Sequence, residues 1–170
     1  MKSHEVVGLP RREGEPSSRG EDVFRGHFRH TVDPKGRLSI PARFREALAD
    51  GFGDKLVIAP NGRGALDVYP ERNWKELEER VNRLPRLDPF RRQFQYQYLS
   101  KGQDVTLDPQ GRIQIPLDIR DSESLTKDVT IIGMQEKFEI WNAERWTHFE
   151  RDKVGSPIED VEQKLADKGV

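Results

Sequence analysis

Residues 32–46 read VDPKGRLSIPARFRE, and residues 107–121 read LDPQGRIQIPLDIRD. Asp33, Pro34, Gly36, Arg37, Ile40, Pro41 and Arg45 return in register as Asp108, Pro109, Gly111, Arg112, Ile115, Pro116 and Arg120. The apolar Leu38 and Phe44 are matched by Ile113 and Ile119. Chance does not produce two prolines, a glycine and two arginines at matched spacing, so the chain is read as a tandem duplication of one supersecondary unit. The downstream segments agree. Leu66-Asp67-Val68-Tyr69 followed by Trp74 parallels Phe138-Glu139-Ile140-Trp141 followed by Trp146.

Within each copy the local chemistry is explicit. Asp first, Pro second and Gly fourth is the composition of a type I turn, with the proline pre-setting φ and the carboxylate placed to accept backbone N–H groups. Arg37-Leu38-Ser39-Ile40 and Arg112-Ile113-Gln114-Ile115 alternate polar and aliphatic residues, which predicts a strand with one buried face. Pro41 and Pro116 end these strands and suit the first turn of a short helix, to about Leu48 in the first copy. A later hairpin is expected over 56–59 and 65–69 around Asn61-Gly62, with its counterpart over 128–132 and 137–141. Trp74, Leu77, Val81 and Leu84 mark one face of a helix beginning near Pro70. Asp88-Pro89 reads as the N-cap and first-turn proline of another, carrying Phe90, Phe94 and Tyr98. A closing helix is expected over 143–149, capped by Asn142.

The expected organisation is an N-terminal extension (1–23) that is polar, unpatterned and disordered, a first repeat (24–85), a bridging helix (86–98), a second repeat (99–149) and a polar tail (150–170). In the tail, Ser156-Pro157-Ile158-Glu159 fits a capping box before a short helix with Val161 and Leu165. The fold class is α+β, mainly β, with short flanking helices.

Composition narrows the function. The 170 residues are 34% hydrophobic and 35% charged with a formal net charge of −1, and the mean hydropathy is −0.85. There is no cysteine, which excludes a disulfide framework and thiolate metal sites. No apolar run nears the roughly 20 residues that span a bilayer, and the N-terminal stretch lacks the core of a signal peptide. No membrane is expected as a partner, and the default location is cytoplasmic. His27 and His30 fall on opposite faces of a strand, and Asp33 and Asp108 have no nucleophile or histidine beside them. Neither a metal site, nor a cofactor, nor an enzyme is expected.

Charge is uneven where the total is neutral. Residues 31–48 hold Lys35, Arg37, Arg43 and Arg45 against Asp33 and Glu46. Residues 104–125 hold Arg112 and Arg120 against Asp104, Asp108, Asp118, Asp121 and Glu123. A basic hairpin tip can enter the major groove of DNA, where Arg forks onto guanine O6 and N7. Asp33 and Asp108, with Gly36 and Gly111, are then turn-orienting residues. Lys35, Arg37, Arg43, Arg45 and Arg112 are the candidate DNA-binding residues. The first tip is expected to dominate, because an acidic tip approaches phosphates poorly. Trp74, Trp141 and Trp146 are expected to contribute surface buried between subunits.

Phe24-Arg25-Gly26, together with the two Asp-Pro-x-Gly-Arg stretches, resembles the MraZ family, itself similar to the swapped-hairpin regulators and antitoxins typified by AbrB. The resemblance covers about residues 24–149. It implies a tandem swapped-hairpin barrel in one chain, and a DNA-binding transcription regulator of the division and cell-wall gene cluster. It also implies binding to double-stranded DNA at direct repeats upstream of its own operon, and a ring-shaped homo-oligomer associated with the nucleoid. The alternative is an antitoxin-like oligomeric module that binds a protein. The family pattern begins near Phe24. Residues 1–22 are therefore expected either to precede a start at Val23 or to form an arm whose Arg11, Arg12 and Arg19 add phosphate contacts.

Overall fold

The computed structural model describes residues 24–170, so the N-terminal extension lies outside the described residues. The first copy supplies β1 (His27–Thr31), β2 (Arg37–Ser39), α1 (Ala42–Ala47), β3 (Lys55–Pro60), β4 (Ala65–Pro70) and α2 (Glu71–Asn82). After α3 (Pro89–Gln97), the second copy repeats the order with β5 (Gln103–Thr106), β6 (Arg112–Gln114), α4 (Leu117–Ser122), β7 (Asp128–Gly133), β8 (Phe138–Asn142) and α5 (Ala143–Phe149). The chain closes on α6 (Ile158–Ala166).

The copies interlock. The main sheet runs β1-β7-β8-β4-β3-β5, antiparallel throughout, and β2 pairs with β6 in a separate two-stranded ribbon. Each copy thus gives its first strand to the other copy's hairpin. β1 lies on β7 with Phe28 opposite Ile131, and β5 lies on β3 with Gln103 opposite Ile58. These registers are equivalent, and two further pairs sit where the copies meet themselves. Leu38 faces Ile113 in the ribbon, and Asp67 faces Glu139 between β4 and β8. A pseudo-twofold axis therefore passes through both pairs.

The expected closed barrel is corrected to an open six-stranded sheet with a ribbon laid across it. Each ribbon strand has three residues before Ile40-Pro41 or Ile115-Pro116, and proline cannot donate to a ladder. Outside the ribbon β2 makes one isolated bridge, Val32 to Leu38, and no continuous ladder carries the ribbon into the main sheet.

β3, β4, β7 and β8 are buried on both faces. One face carries Leu56, Ile58, Leu66, Val68, Ile131, Phe138 and Ile140 into the main core. There they meet Leu38 and Ile113 of the ribbon strands, Ile40 and Ile115 just after them, and Phe44 and Ile119 of α1 and α4. The other face packs Val57, Ala59 and Tyr69 against Trp74 of α2, and Trp141 against Trp146 and Phe149 of α5. Trp74 and Trp141 are buried within the chain, which corrects for these two the expectation that the tryptophans supply subunit surface; Trp146 is half-buried. The first two are consumed by the helices that cover the sheet's second face.

Most local expectations hold. Asp88 Oδ1 caps α3 by accepting from Phe90 N at 2.8 Å and Arg91 N at 3.1 Å. Asn142 caps α5 in the same way. Two details differ. Pro41 and Pro116 are the N-cap residues of α1 and α4 rather than their first helical residues. Pro157 caps α6 with no side-chain hydrogen bond, so the capping box at Ser156 and Glu159 does not form.

Candidate nucleic-acid interface

Two tight turns join β1 to β2 and β5 to β6, and they are built alike. Gly36 N donates to Asp33 O at 2.9 Å and Asp33 N to Arg37 O at 3.0 Å; the second turn repeats these bonds at 2.9 and 2.8 Å. Gly36 and Gly111 take φ of +83° and +77°, the left-handed region where glycine has no Cβ penalty. This is a type I turn followed by a left-handed bulge residue, a common three-residue hairpin connection.

The aspartate completes each turn. Asp33 Oδ1 accepts from Lys35 N at 2.9 Å and Arg37 N at 2.8 Å, and Oδ2 accepts from Arg37 Nε at 2.6 Å. Asp108 does the same with Gln110 N, Arg112 N and Arg112 Nε, at 2.9, 2.9 and 3.0 Å. Backbone donation from Arg37 and from Arg112, reinforced by their guanidinium groups, holds both carboxyls below the ordinary aspartate value. The carboxylates stay ionised and hold each arginine by its Nε.

The ribbon brings the two arginines onto one surface. Arg37 lies opposite Gln114 and Ser39 opposite Arg112. With Leu38, Ile40, Ile113 and Ile115 turned into the core, these four polar residues form the outer face. Lys35 and Gln110 stand exposed on the turns. Gln114 Nε2 donates to Lys35 O at 3.1 Å, tying the second strand to the first tip.

The tips are also braced crosswise. A Cβ on Gly36 would sit 2.7 Å from Arg120 Nε and 2.8 Å from Ile115 O, and one on Gly111 would collide with Arg45. Each glycine thus provides bare surface on which the other copy's helix arginine lies. Ile40 N donates to Gly111 O and Ile115 N to Gly36 O, at 2.9 and 2.8 Å, which locks the same crossing through backbone.

Of the sequence-derived candidates, Lys35, Arg37 and Arg112 therefore gather on one ribbon. Arg45 lies against the second tip, and Arg43 is exposed on α1. Sequence reasoning left out Ser39, Gln114 and Arg120. The alternation Arg-x-Ser and Arg-x-Gln carried the first two, and the equivalence of Arg120 with Arg45 carried the third. Among the described residues no cluster of three or more metal-ligating side chains occurs, and no helix is long and apolar enough to cross a membrane.

The family model described as "MraZ protein, putative antitoxin-like" matches the chain twice, over residues 23–97 and 99–168. The chain belongs to the MraZ family. The chain is 41% identical over 146 residues to the transcriptional regulator MraZ of Heliobacterium modesticaldum, which covers 85% of this chain and 98% of the relative. The corresponding protein of Natranaerobius thermophilus is 38% identical over 85% of this chain and 98% of its own. That of Chromobacterium violaceum is 38% identical over 81% and 93%. The family is one of transcriptional regulators, not of enzymes. Its two matched segments agree with the duplication read from the two Asp-Pro-x-Gly-Arg stretches.

Proposed function

We propose that this chain is a sequence-specific DNA-binding transcription regulator whose reading element is the β2–β6 ribbon. The observation that carries this reading is the outer face of that ribbon, where Arg37 and Arg112, each held by its aspartate, flank Ser39 and Gln114. A two-stranded ribbon fits the major groove, and guanine offers O6 and N7 there as paired acceptors. With Nε engaged by Asp33, Arg37 meets guanine end-on through its terminal amino groups. Lys35 and the α1 residues Arg43 and Arg45 meet phosphates on either side.

The exchange of first strands between copies supports a swapped-hairpin architecture of the AbrB type completed within one chain. The family membership supports a target upstream of the chain's own operon, in the division and cell-wall gene cluster, where direct repeats engage successive copies in a ring. Working on bacterial DNA, the protein would reside with the nucleoid.

Fluorescence anisotropy with double-stranded DNA from upstream of the gene, against unrelated DNA of equal length, tests the reading across a salt series. Tighter binding to the upstream DNA and a steep loss with salt are expected. Equal affinity for both DNAs sinks the sequence-specific role. The family description also favours an antitoxin-like module as a second reading. Copurification with one small protein, without affinity for the upstream DNA, would establish that one instead.

A further inference from the structure

The corner between α2 and α3 holds an apolar groove of about 350 Å³ lined by Val81, Leu84, Phe90 and Phe94. It is preformed. Arg91 spans it, donating Nη1 to Leu84 O at 2.8 Å and Nη2 to Asn82 Oδ1 at 3.1 Å, while the Asp88 cap fixes the start of α3. Yet it is uncovered: Phe90 is 75% exposed, and no residue of α3 is buried. An aromatic left in water at a rigid corner marks a contact surface more than a solvated helix face.

A second apolar surface lies at the C-terminal end. α6 presents Ile158, Val161 and Leu165 at i, i+3 and i+7, one stripe of a helix. All three are exposed, and no residue of α6 is buried against its own chain. The two surfaces are opposite in charge. Arg91 lines the groove, and the stretch from 83 to 92 that forms the α2–α3 corner also carries Arg83, Arg86 and Arg92 against Asp88, whose carboxylate is spent on the α3 cap. α6 carries Glu159, Asp160 and Glu162 against Lys164.

We propose that the α2–α3 groove receives α6 from a second copy of this chain, the stripe seating on Leu84, Phe90 and Phe94 and the acids facing the arginines of the corner. A helix laid in a groove through i, i+3, i+7 anchors is a recurrent recognition mode. Each chain carries one groove and one helix, so the contact is head-to-tail, and repetition produces a ring or a filament. The inference rests on the proposed association of copies and supplies the surface that makes it.

The chain has no native cysteine, so a full-length Val161→Cys, Phe94→Cys double variant reports on this contact alone. Oxidation is expected to join two or more chains, with a ladder on a non-reducing gel. A bridge closed within one chain overturns the docking. So does the lack of any bridge in assemblies that light scattering still detects, and in that case association of copies stands without it. Light scattering that finds single chains removes both. As a second measurement, Glu159→Arg with Glu162→Arg is expected to lose the assembled species on sizing. Adding Arg83→Glu with Arg86→Glu to that chain is expected to restore it, and failure to restore counts against the proposal.

Discussion

The two copies share a backbone and differ in what they hang on it. Their turns agree bond for bond, from the aspartate that accepts three hydrogen bonds to the left-handed glycine. Their charges do not agree. Gln110 stands in place of Lys35, and Asp118 in place of Arg43. At the other end of the pseudo-axis, Asp67 and Glu139 are equivalent residues buried side by side, 2% and 4% exposed. They share a single ammonium. Lys137 Nζ lies 2.8 Å from Asp67 Oδ2 and 3.5 Å from Glu139 Oε1, and its equivalent in the first copy is Ala65. The difference teaches that duplication preserves what builds the turn, whereas two like charges meeting on the axis are held by a cation that only one copy supplies.

The rest of this cluster shows how closely the pair is held. Asp67 also accepts from Asn61 Nδ2 at 3.1 Å and from the Tyr98 hydroxyl, and Glu139 accepts from Trp141 Nε1 at 2.8 Å. Burial pushes the Lys137 ammonium down, but Asp67, Tyr69 and Glu139 outweigh it and leave its pKa above the ordinary value. Burial and the Asp67 charge both push the Tyr98 hydroxyl up, so it stays protonated as a donor.

The largest effect expected from this asymmetry is on stability. Lys137→Met leaves two buried carboxylates uncompensated and is expected to cost roughly 3–5 kcal/mol in urea denaturation. A loss below about 1 kcal/mol would mean that the acids find water or protonate at little cost.

Next comes the ribbon. Arg37→Ala is expected to weaken binding to the upstream DNA by about 1–3 kcal/mol and to relax base preference at one position. Arg112→Ala should weaken it less, because its tip lacks the lysine that draws phosphate. Equal losses, in chains of matched assembly state, would show that cross-bracing by Arg45 and Arg120 has evened out the tips.

The glycines sharpen the comparison further. Gly36→Ala would drive its Cβ against the Ile115 carbonyl, whereas at Gly111 the obstacle is the flexible side chain of Arg45. Both substitutions meet left-handed strain of about 1–3 kcal/mol, and the first should melt at the lower temperature. The reverse order would put the rigidity in Arg45 rather than in the backbone. A smaller effect concerns charge alone. Lys35→Ala is expected to flatten the logarithmic salt dependence of DNA binding by about one unit, and Gln110→Lys to steepen it by about one. An unchanged salt dependence in the Gln110→Lys variant would place the second tip away from phosphate.

The smallest effect is a titration. A carboxyl whose folded pKa is depressed contributes stability above its unfolded value and loses it as pH falls through the folded one. Asp33 and Asp108 are both held below the ordinary aspartate value, so the tips should persist through mildly acidic pH and loosen only as pH falls below the ordinary carboxylate range. Carboxyl resonances titrating at or above the ordinary aspartate value would contradict the geometry of both turns.

Much of this was legible in the residues. Asp, Pro and Gly at fixed offsets dictate the turn, since each solves a local problem of φ or of an unpaired N–H. Pro41 and Pro116 end the strands, and Asp88 and Asn142 open helices, because capping is settled within four residues. Other expectations failed where distance in sequence intervened. Trp74, Trp141 and Trp146 were expected on a subunit surface, yet the first two are consumed by the helices covering the sheet. Charge counted along 104–125 could not include Arg45 of the first copy, which the fold lays against Gly111 of the second tip.

By itself the sequence determined the duplication, the two hairpin tips, their aspartate-held arginines and most of the helix starts. All of these depend on neighbours within a few residues, where side-chain chemistry and backbone sterics act directly. The tertiary structure alone decided the registers in which each copy's first strand joins the other, that Arg37 and Arg112 share one ribbon face, and that Asp67 meets Glu139 on the axis. Those outcomes turn on register between strands far apart in the chain. There the alternation of side chains leaves several pairings open, and the joint burial of both sheet faces selects among them.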